Sequence, residues 1–306
     1  MEDRVRIDLP PGHTARPGSP EDVATVLALV AAAERHLDGV VEVDGDDVES
    51  DFARVGFDPA TDCLIVLDGA EPVGWADVHR ERAEADVRPS HYGRGIGTAL
   101  LRWTEGRARE LGFATVGQTI TDHNVGGSTL FRANGYEPVW TSWILEIAFD
   151  GPPPRHLPPE GITLRSYDPA RDARIAHRLL DDAFSEWEGR SAEPFEEWEA
   201  SVVQHKAFSH QLSRLAFDGD RLVGAALALD YAADREGWVQ QLATTATHRH
   251  RGIARALLSS VFDGFAERGK HRVGLSTDSR TGALGLYERV GMTVRRSYTR
   301  YGKRLV

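Results

Sequence analysis

Apolar positions recur every three to four residues in some stretches and every second residue in others, and this alternation sets out the elements. In the second half the spacing predicts a helix over 170–183, with Ile175, Leu179 and Ala183 on one face, and another over 194–204. A long helix follows over 253–268, whose apolar stripe is Ile253, Ala256, Leu257, Val261 and Phe265, and a shorter one over 282–289. Short apolar runs predict strands over 162–166, 214–217, 222–229, 238–243, 273–276 and 293–301. The first half runs in the same order, with its long helix over 96–111. Helices alternating with hairpin-linked strands predict an α/β (α+β mixed) fold with a twisted, mixed sheet in each half.

The order is a repeat. LDGAEPVGWADV (67–78) matches FDGDRLVGAALA (217–228), Gly95 corresponds to Gly252, and Leu130-Phe131 before Gly135-Tyr136 corresponds to Leu286-Tyr287 before Gly291-Met292. Near the starts, TARPGSPEDVATVLALV resembles TLRSYDPARDARIAHRLL. Between the copies lies GPPPRHLPPE, whose five prolines continue neither a helix nor a central strand. The expected domains are therefore 1–150 and 161–306, joined by a linker over 151–160.

Composition narrows the function. The chain has 306 residues, 41 % of them hydrophobic, enough for two separate cores. It has no run of about 18 apolar residues, and its start lacks the apolar region of a signal peptide, so a cytoplasmic protein without membrane contact is expected. A net charge of −11 argues against nucleic acid and suits a cationic partner. The single cysteine, Cys63, sits in an apolar run and reads as a buried core thiol.

Against that acidic background two basic loops stand out, TTATHRHRGIARALL (244–258) and VRPSHYGRGIGTALL (87–101). Each leads from a strand into an apolar helix, which exposes backbone N–H groups and the positive end of a helix dipole to an anion. A Walker loop requires Gly-Lys-Ser or Gly-Lys-Thr, which neither has. A dinucleotide fingerprint requires a third glycine three residues after the second, where Thr98 stands. What remains is R-x-x-G-x-A at Arg249, Gly252 and Ala254.

On these residues the chain resembles the GNAT superfamily of acyl-CoA-dependent N-acetyltransferases, whose pyrophosphate loop is (R/Q)-x-x-G-x-(G/A). A second family stretch, N-x-x-A-x-x-L-Y-x-x-x-G-F, is matched by RTGALGLYERVGM (280–292) and, less closely, by NVGGSTLFRANGY (124–136). The double occurrence resembles the mycothiol synthase-like two-domain actinobacterial acetyltransferases in plan, and it implies two tandem GNAT folds, each a mostly antiparallel sheet flanked by helices.

The resemblance implies acetyl-CoA as co-substrate and no metal: the loop with His248 and His250 supplies no carboxylate or cysteine nearby. In the second copy the implied cofactor residues are Leu242, Ala243 and Thr244 on a splayed strand, Arg249, His250, Arg251, Gly252, Ile253 and Ala254 in the loop, and Arg280 where the family has asparagine. In the first copy they are Val87, Arg94, Gly95, Ile96 and Gly97. Tyr92 and Phe131 replace the arginine and tyrosine there, so the first copy reads as degenerate and the second as catalytic. Tyr287 is the implied acid for the leaving thiolate. Gln240 and Gln241 stand where many family members carry a carboxylate, which leaves Asp230 and Asp278 as candidate bases, each also readable as a turn residue, beside direct attack by an amine that loses its proton to water.

A lysine-like amine with a pKa of about 10.4 is neutral about once in a thousand near pH 7, a deficit of roughly 4 kcal/mol that the site must offset. Asp181, Asp182, Glu186, Trp187, Glu188, Glu193, Glu196, Glu197 and Trp198 read either as a cationic-amine entrance or as a solvated acidic face with two core indoles. The segment 42–51 reads as a solvated loop. The expected activity is acetylation of a primary amine on a small molecule by a monomer or homodimer; a non-catalytic acyl-CoA-binding protein and a peptide or protein N-acetyltransferase are the alternatives.

Overall fold

The computed structural model describes residues 7–186, 192–231 and 236–305. By backbone contacts the chain forms two compact units, Met1–Thr141 with Tyr298–Val306, and Ser142–Ser297. The first contains β1 (His13–Pro17), α1 (Val23–Leu37), α2 (Gly45–Phe52), α3 (Pro59–Asp62), β2 (Cys63–Asp68), β3 (Glu71–His79), β4 (Arg82–Val87), α4 (Ile96–Glu110), β5 (Thr115–Thr121) and α5 (Val125–Ala133). Then β6 (Glu137–Ala148) passes into the second unit, which adds β7 (Ile162–Ser166), α6 (Ala173–Phe184), α7 (Phe195–Trp198), β8 (Arg214–Asp218), β9 (Arg221–Asp230), β10 (Glu236–Thr244), α8 (Ile253–Glu267), β11 (Arg272–Asp278) and α9 (Leu284–Arg289). The last strand, β12 (Thr293–Arg304), returns to the first unit.

Both sheets are mixed. In the first, β1 to β4 pair antiparallel in order, β4 meets β5 in parallel, and Tyr298–Arg304 of β12 runs antiparallel to β5. In the second, β7 to β10 pair antiparallel in order, β10 meets β11 in parallel, and residues 142–148 of β6 run antiparallel to β11. Each sheet is thus closed by a strand from the other half of the chain. The expected division at 150 and 161 follows the sequence repeat, whereas the compact units follow this strand pairing.

Alternation along the strands builds a core on each face of each sheet. In the second unit Ala226 and Ala228 of β9 pack with Leu257, Val261 and Phe265 of α8, while Ala225 and Leu227 pack with Leu180 of α6 and Trp198 of α7. In the first, Leu64 and Val66 pack with Ile96 and Leu100 of α4, and Cys63 and Ile65 with Val26 and Leu29 of α1. The repeated Val-Gly that opens the second hairpin strand has a steric reason. A Cβ on Gly224 would stand 3.0 Å from Leu257 Cδ1, and one on Gly74 would stand 3.3 Å from Ile96, so glycine sets how closely each long helix lies on its sheet.

Two local expectations change. Residues 42–51 are not all loop: Asp44 caps α2 by accepting from the Asp47 N–H, acidic residues fill the first turn, and Val48 is buried. The buried face of α6 is Ala176, Leu179, Leu180 and Phe184, whereas Ile175 is exposed. The helix over 194–204 is α7 followed by a π-helical turn, Glu199–Val203. Cys63 is buried, and burial raises its thiol pKa, so it stays protonated. Among the described residues no helix is long and apolar enough to cross a membrane.

Because Tyr298–Arg304 supplies the ladder partner of β5, a chain ending at Ser297 should lose amide hydrogen-exchange protection in β5 and keep it in β9 and β10. Unchanged protection in β5 would show that the first sheet does not depend on the returning strand.

Candidate functional site

In the second unit the parallel pair β10 and β11 runs in register from Glu236↔Arg272 to Val239↔Leu275 and stops there. At that point β10 carries a bulge between Val239 and Gln241, which puts Gln240 at the surface. Beyond it Gln241 to Thr244 still pair with β9, and β11 continues to Asp278. Over this length, among the described residues, no ladder joins the two strands, which leaves a break in the sheet. The Thr244 hydroxyl at the end of β10 is buried and, among the described residues, has no hydrogen-bond partner.

β10 leads on to the basic loop. His250 and Gly252 both adopt left-handed backbone, at φ +62° and +91°, and Gly252 caps the N-terminus of α8. Reversing the chain there aims the first N–H groups of a 15-residue helix outward. The Arg249 guanidinium is gripped by Glu186 at 2.6 and 2.9 Å, and its Nε donates to the Thr244 carbonyl at 3.4 Å. The Arg249 guanidinium hydrogen bonds hold the Glu186 carboxyl below its ordinary pKa. The first unit repeats the turn: Gly93 and Gly95 sit at φ +74° and +92°, Gly95 caps α4, and the parallel β4–β5 pairing is recorded at Arg82↔Gly117.

The family model described as "Acetyltransferase (GNAT) family" matches residues 30–136 and 173–292. The chain belongs to this family. Among similar curated proteins, the mycothiol acetyltransferase of Streptomyces scabiei is 27 % identical over 91 % of this chain and 94 % of its own length. The protein of that name from Geodermatophilus obscurus is 28 % identical over 90 % and 92 %. A GCN5-related N-acetyltransferase from Sphaerobacter thermophilus superposes with a TM-score of 0.80 at 31 % identity, covering 97 % of both chains. A tandem GNAT protein from the clavulanic acid biosynthesis pathway has the same fold, with a TM-score of 0.69.

In this acetyltransferase Tyr287 is buried in the core beside α8, with Thr277 of β11 near its hydroxyl. Burial pushes its pKa up to about 12. The two carboxylates expected as bases have other partners. Asp230 receives Arg268 at 2.8 Å and Lys270 at 3.0 Å; burial alone would raise its pKa, but these cations outweigh that and hold it below the ordinary range. Asp278 receives the Arg280 guanidinium at 2.6 Å and the Arg280 N–H at 2.9 Å, an Asx turn that also occupies Arg280.

Trp198 is a core residue whose indole N–H donates to Gln241, so Gln241 serves packing. Asp182, Glu186, Glu196 and Glu197 are exposed, and Asp181 accepts from the Glu193 N–H. Trp187 and Glu188 lie outside the described residues.

Three features were not read from the sequence. His248 has a carboxylate beside it, Asp218 from the β8–β9 hairpin at 3.1 Å, which the loop's own residues do not reveal. In the first unit the register sets Asp77 opposite Glu84, and burial with that neighbouring carboxylate pushes Asp77 up to about 8. Burial, then Glu84, likewise raise Asp86 on β4 to about 7. Alternating acids on β4 (Glu84, Asp86) were the available signal.

The raised Asp77 couples stability to pH. Below about pH 4 the folded and unfolded states both hold its proton; between about 4 and 8 the unfolded chain releases it first, so stability is lost as pH rises through the folded value. Asp77→Asn should therefore match the wild type near pH 4 and exceed it by a few kcal/mol near pH 8, on the order that such a shift sets. Denaturant unfolding across that range reads the difference, and a pH-independent gap would mean that Asp77 is ionised throughout.

Proposed function

We propose that the protein transfers the acetyl group of acetyl-CoA to a primary amine of a small molecule in its second unit. The observation that carries this reading is the end of the β10–β11 ladder on the approach to the left-handed Gly252 and the head of α8. An extended amide chain fits facing strand edges, the orphaned Thr244 hydroxyl offers it a further partner, and a pyrophosphate fits the helix N-terminus. The residues for it are Leu242, Ala243 and Thr244 along the strand, and Arg249, His250, Arg251, Gly252, Ile253 and Ala254 at the turn. The same turn in the first unit, with Arg94, Gly95, Ile96 and Gly97 after Val87, is a second CoA-like binding place without an arginine at Tyr92. The names of the similar proteins support a small-molecule acceptor, and exposed Asp182, Glu196 and Glu197 favour a cationic one.

Acetyl-CoA supplies an activated thioester: the amine nitrogen bonds the carbonyl carbon, the carbon–sulfur bond breaks, and sulfur leaves with the electron pair. Asp230 and Asp278 are engaged by cations, so the amine proton passes to water. Tyr287 holds its own proton at every physiological pH. Complete transfer to a thiolate with a pKa near about 8.5 would run uphill by roughly 5 kcal/mol. The hydroxyl therefore acts as a hydrogen-bond donor to the charge developing on sulfur, which is an electrostatic contribution.

A second reading, favoured by Asp86 with its pKa near 7 on β4, places the chemistry in the first unit, where that carboxylate is matched to accept a proton. Acceptor-dependent thiol release from acetyl-CoA separates the two. Tyr287→Phe should lower turnover by roughly 10²-fold at little change in acetyl-CoA binding, with Asp86→Asn near wild type. Full activity in Tyr287→Phe together with loss in Asp86→Asn would move catalysis to the first unit.

A further inference from the structure

The duplication places a histidine–carboxylate pair before each anion loop, and the first unit adds a third group. Strand register sets His13 of β1 directly opposite Asp68, the last residue of β2. His91 reaches the same place from the turn after β4, with its Nε2 3.2 Å from Asp68 Oδ2. One ligand atom from each of His13, Asp68 and His91 lies within 4.8 Å of the others, the one such trio among the described residues.

The outer contacts fix the rings. His13 Nδ1 is 3.3 Å from the Pro10 carbonyl, which only accepts, so the proton sits on Nδ1 and Nε2 carries a lone pair. That Nε2 is buried and, among the described residues, has no partner. His91 Nε2 donates to Asp68, which only accepts, and the Ser90 hydroxyl 2.9 Å from Nδ1 donates in turn; an ion would replace the Nε2 proton, and the same hydroxyl, which can also accept, would then take a proton on Nδ1. A ring nitrogen bonded outward to a carbonyl or hydroxyl, with the other facing a shared point, is how metal-binding imidazoles are held.

The second unit lacks both distinguishing features. There Ile162 stands opposite Asp218, and Arg251 comes within 3.8 Å of that carboxylate. In the first unit the corresponding Arg94 donates instead to the Ser90 carbonyl at 3.0 Å, and among the described residues no arginine is paired with Asp68.

We propose that His13, Asp68 and His91 bind a divalent transition-metal ion of the zinc class. Two imidazoles and one carboxylate suit zinc over magnesium or calcium, which take oxygen ligands. Bonds of about 2.0–2.1 Å set tetrahedral donors about 3.3 Å apart, close to the His91–Asp68 spacing already present, and His13, within 4.8 Å of both, is the ligand that must draw in. Asp68 is half exposed, which gives the ion an entry path and leaves room for water as the remaining ligand. The ion ties β1, the β2–β3 hairpin and the turn before Gly93 together, and so braces the anion loop of the first unit.

The test is titration of the chelator-treated full chain with Zn(II), repeated with Co(II) for its absorption spectrum. The expected result is one tight site per chain with a tetrahedral Co(II) spectrum, weakened at least about tenfold in His13→Ala and in Asp68→Asn and unchanged in His248→Ala. Melting of each variant in chelator checks folding, and either of the first two suffices if the other fails to fold. Binding by the folded variants equal to the wild type, or no tight site in the wild type, overturns the proposal.

Discussion

Neighbouring parallel strands that separate leave backbone N–H and C=O groups facing each other across a gap with no ladder between them. Such groups are costly if buried unpaired, so the gap must be filled by water or by a ligand with amides of its own. In the second unit the ladder ends after Val239↔Leu275. The bulge at Gln240 shifts the register of β10, and beyond the end of the strand Gly252, in left-handed backbone, caps the start of α8. The end of the pairing, the bulge and the glycine-capped start of α8 thus follow one another along the chain.

The duplicated plan shows which parts are geometry and which are chemistry. Gly95 and Gly252 have nearly the same φ, +92° and +91°, and Arg16–Asp22 repeats as Arg165–Asp172, each a close ion pair anchoring the first strand to the entry of the following helix. These serve the backbone. Several side chains at corresponding positions differ. Tyr287 becomes Phe131, Arg249 becomes Tyr92, Gln241 becomes Glu84, and Ile162 becomes His13. The two units thus share a backbone frame and differ in the polar groups set on it.

Much of this was legible in the chain because it is local. The apolar stripe of α8, the Gly252 turn and the Val-Gly approach are set by residues within one or two turns of each other, and each lies where the pattern put it. What was missed depends on residues distant in sequence. Asp230 reads in the sequence as a candidate base or a turn residue, and the cations that engage it, Arg268 and Lys270, come from the end of α8; the carboxylate beside His248, Asp218, comes from another hairpin. Ile175 differs for a smaller reason: the apolar face of α6 is rotated by one residue, because Phe184, not Ala183, anchors its end.

The central claim is that the break in the second unit's sheet holds the acyl donor. Hydrogen exchange of the full chain with and without saturating CoA tests this most directly. The account predicts new amide protection at 242–244 and 251–254. Protection confined to 84–87 and 94–97 would contradict it.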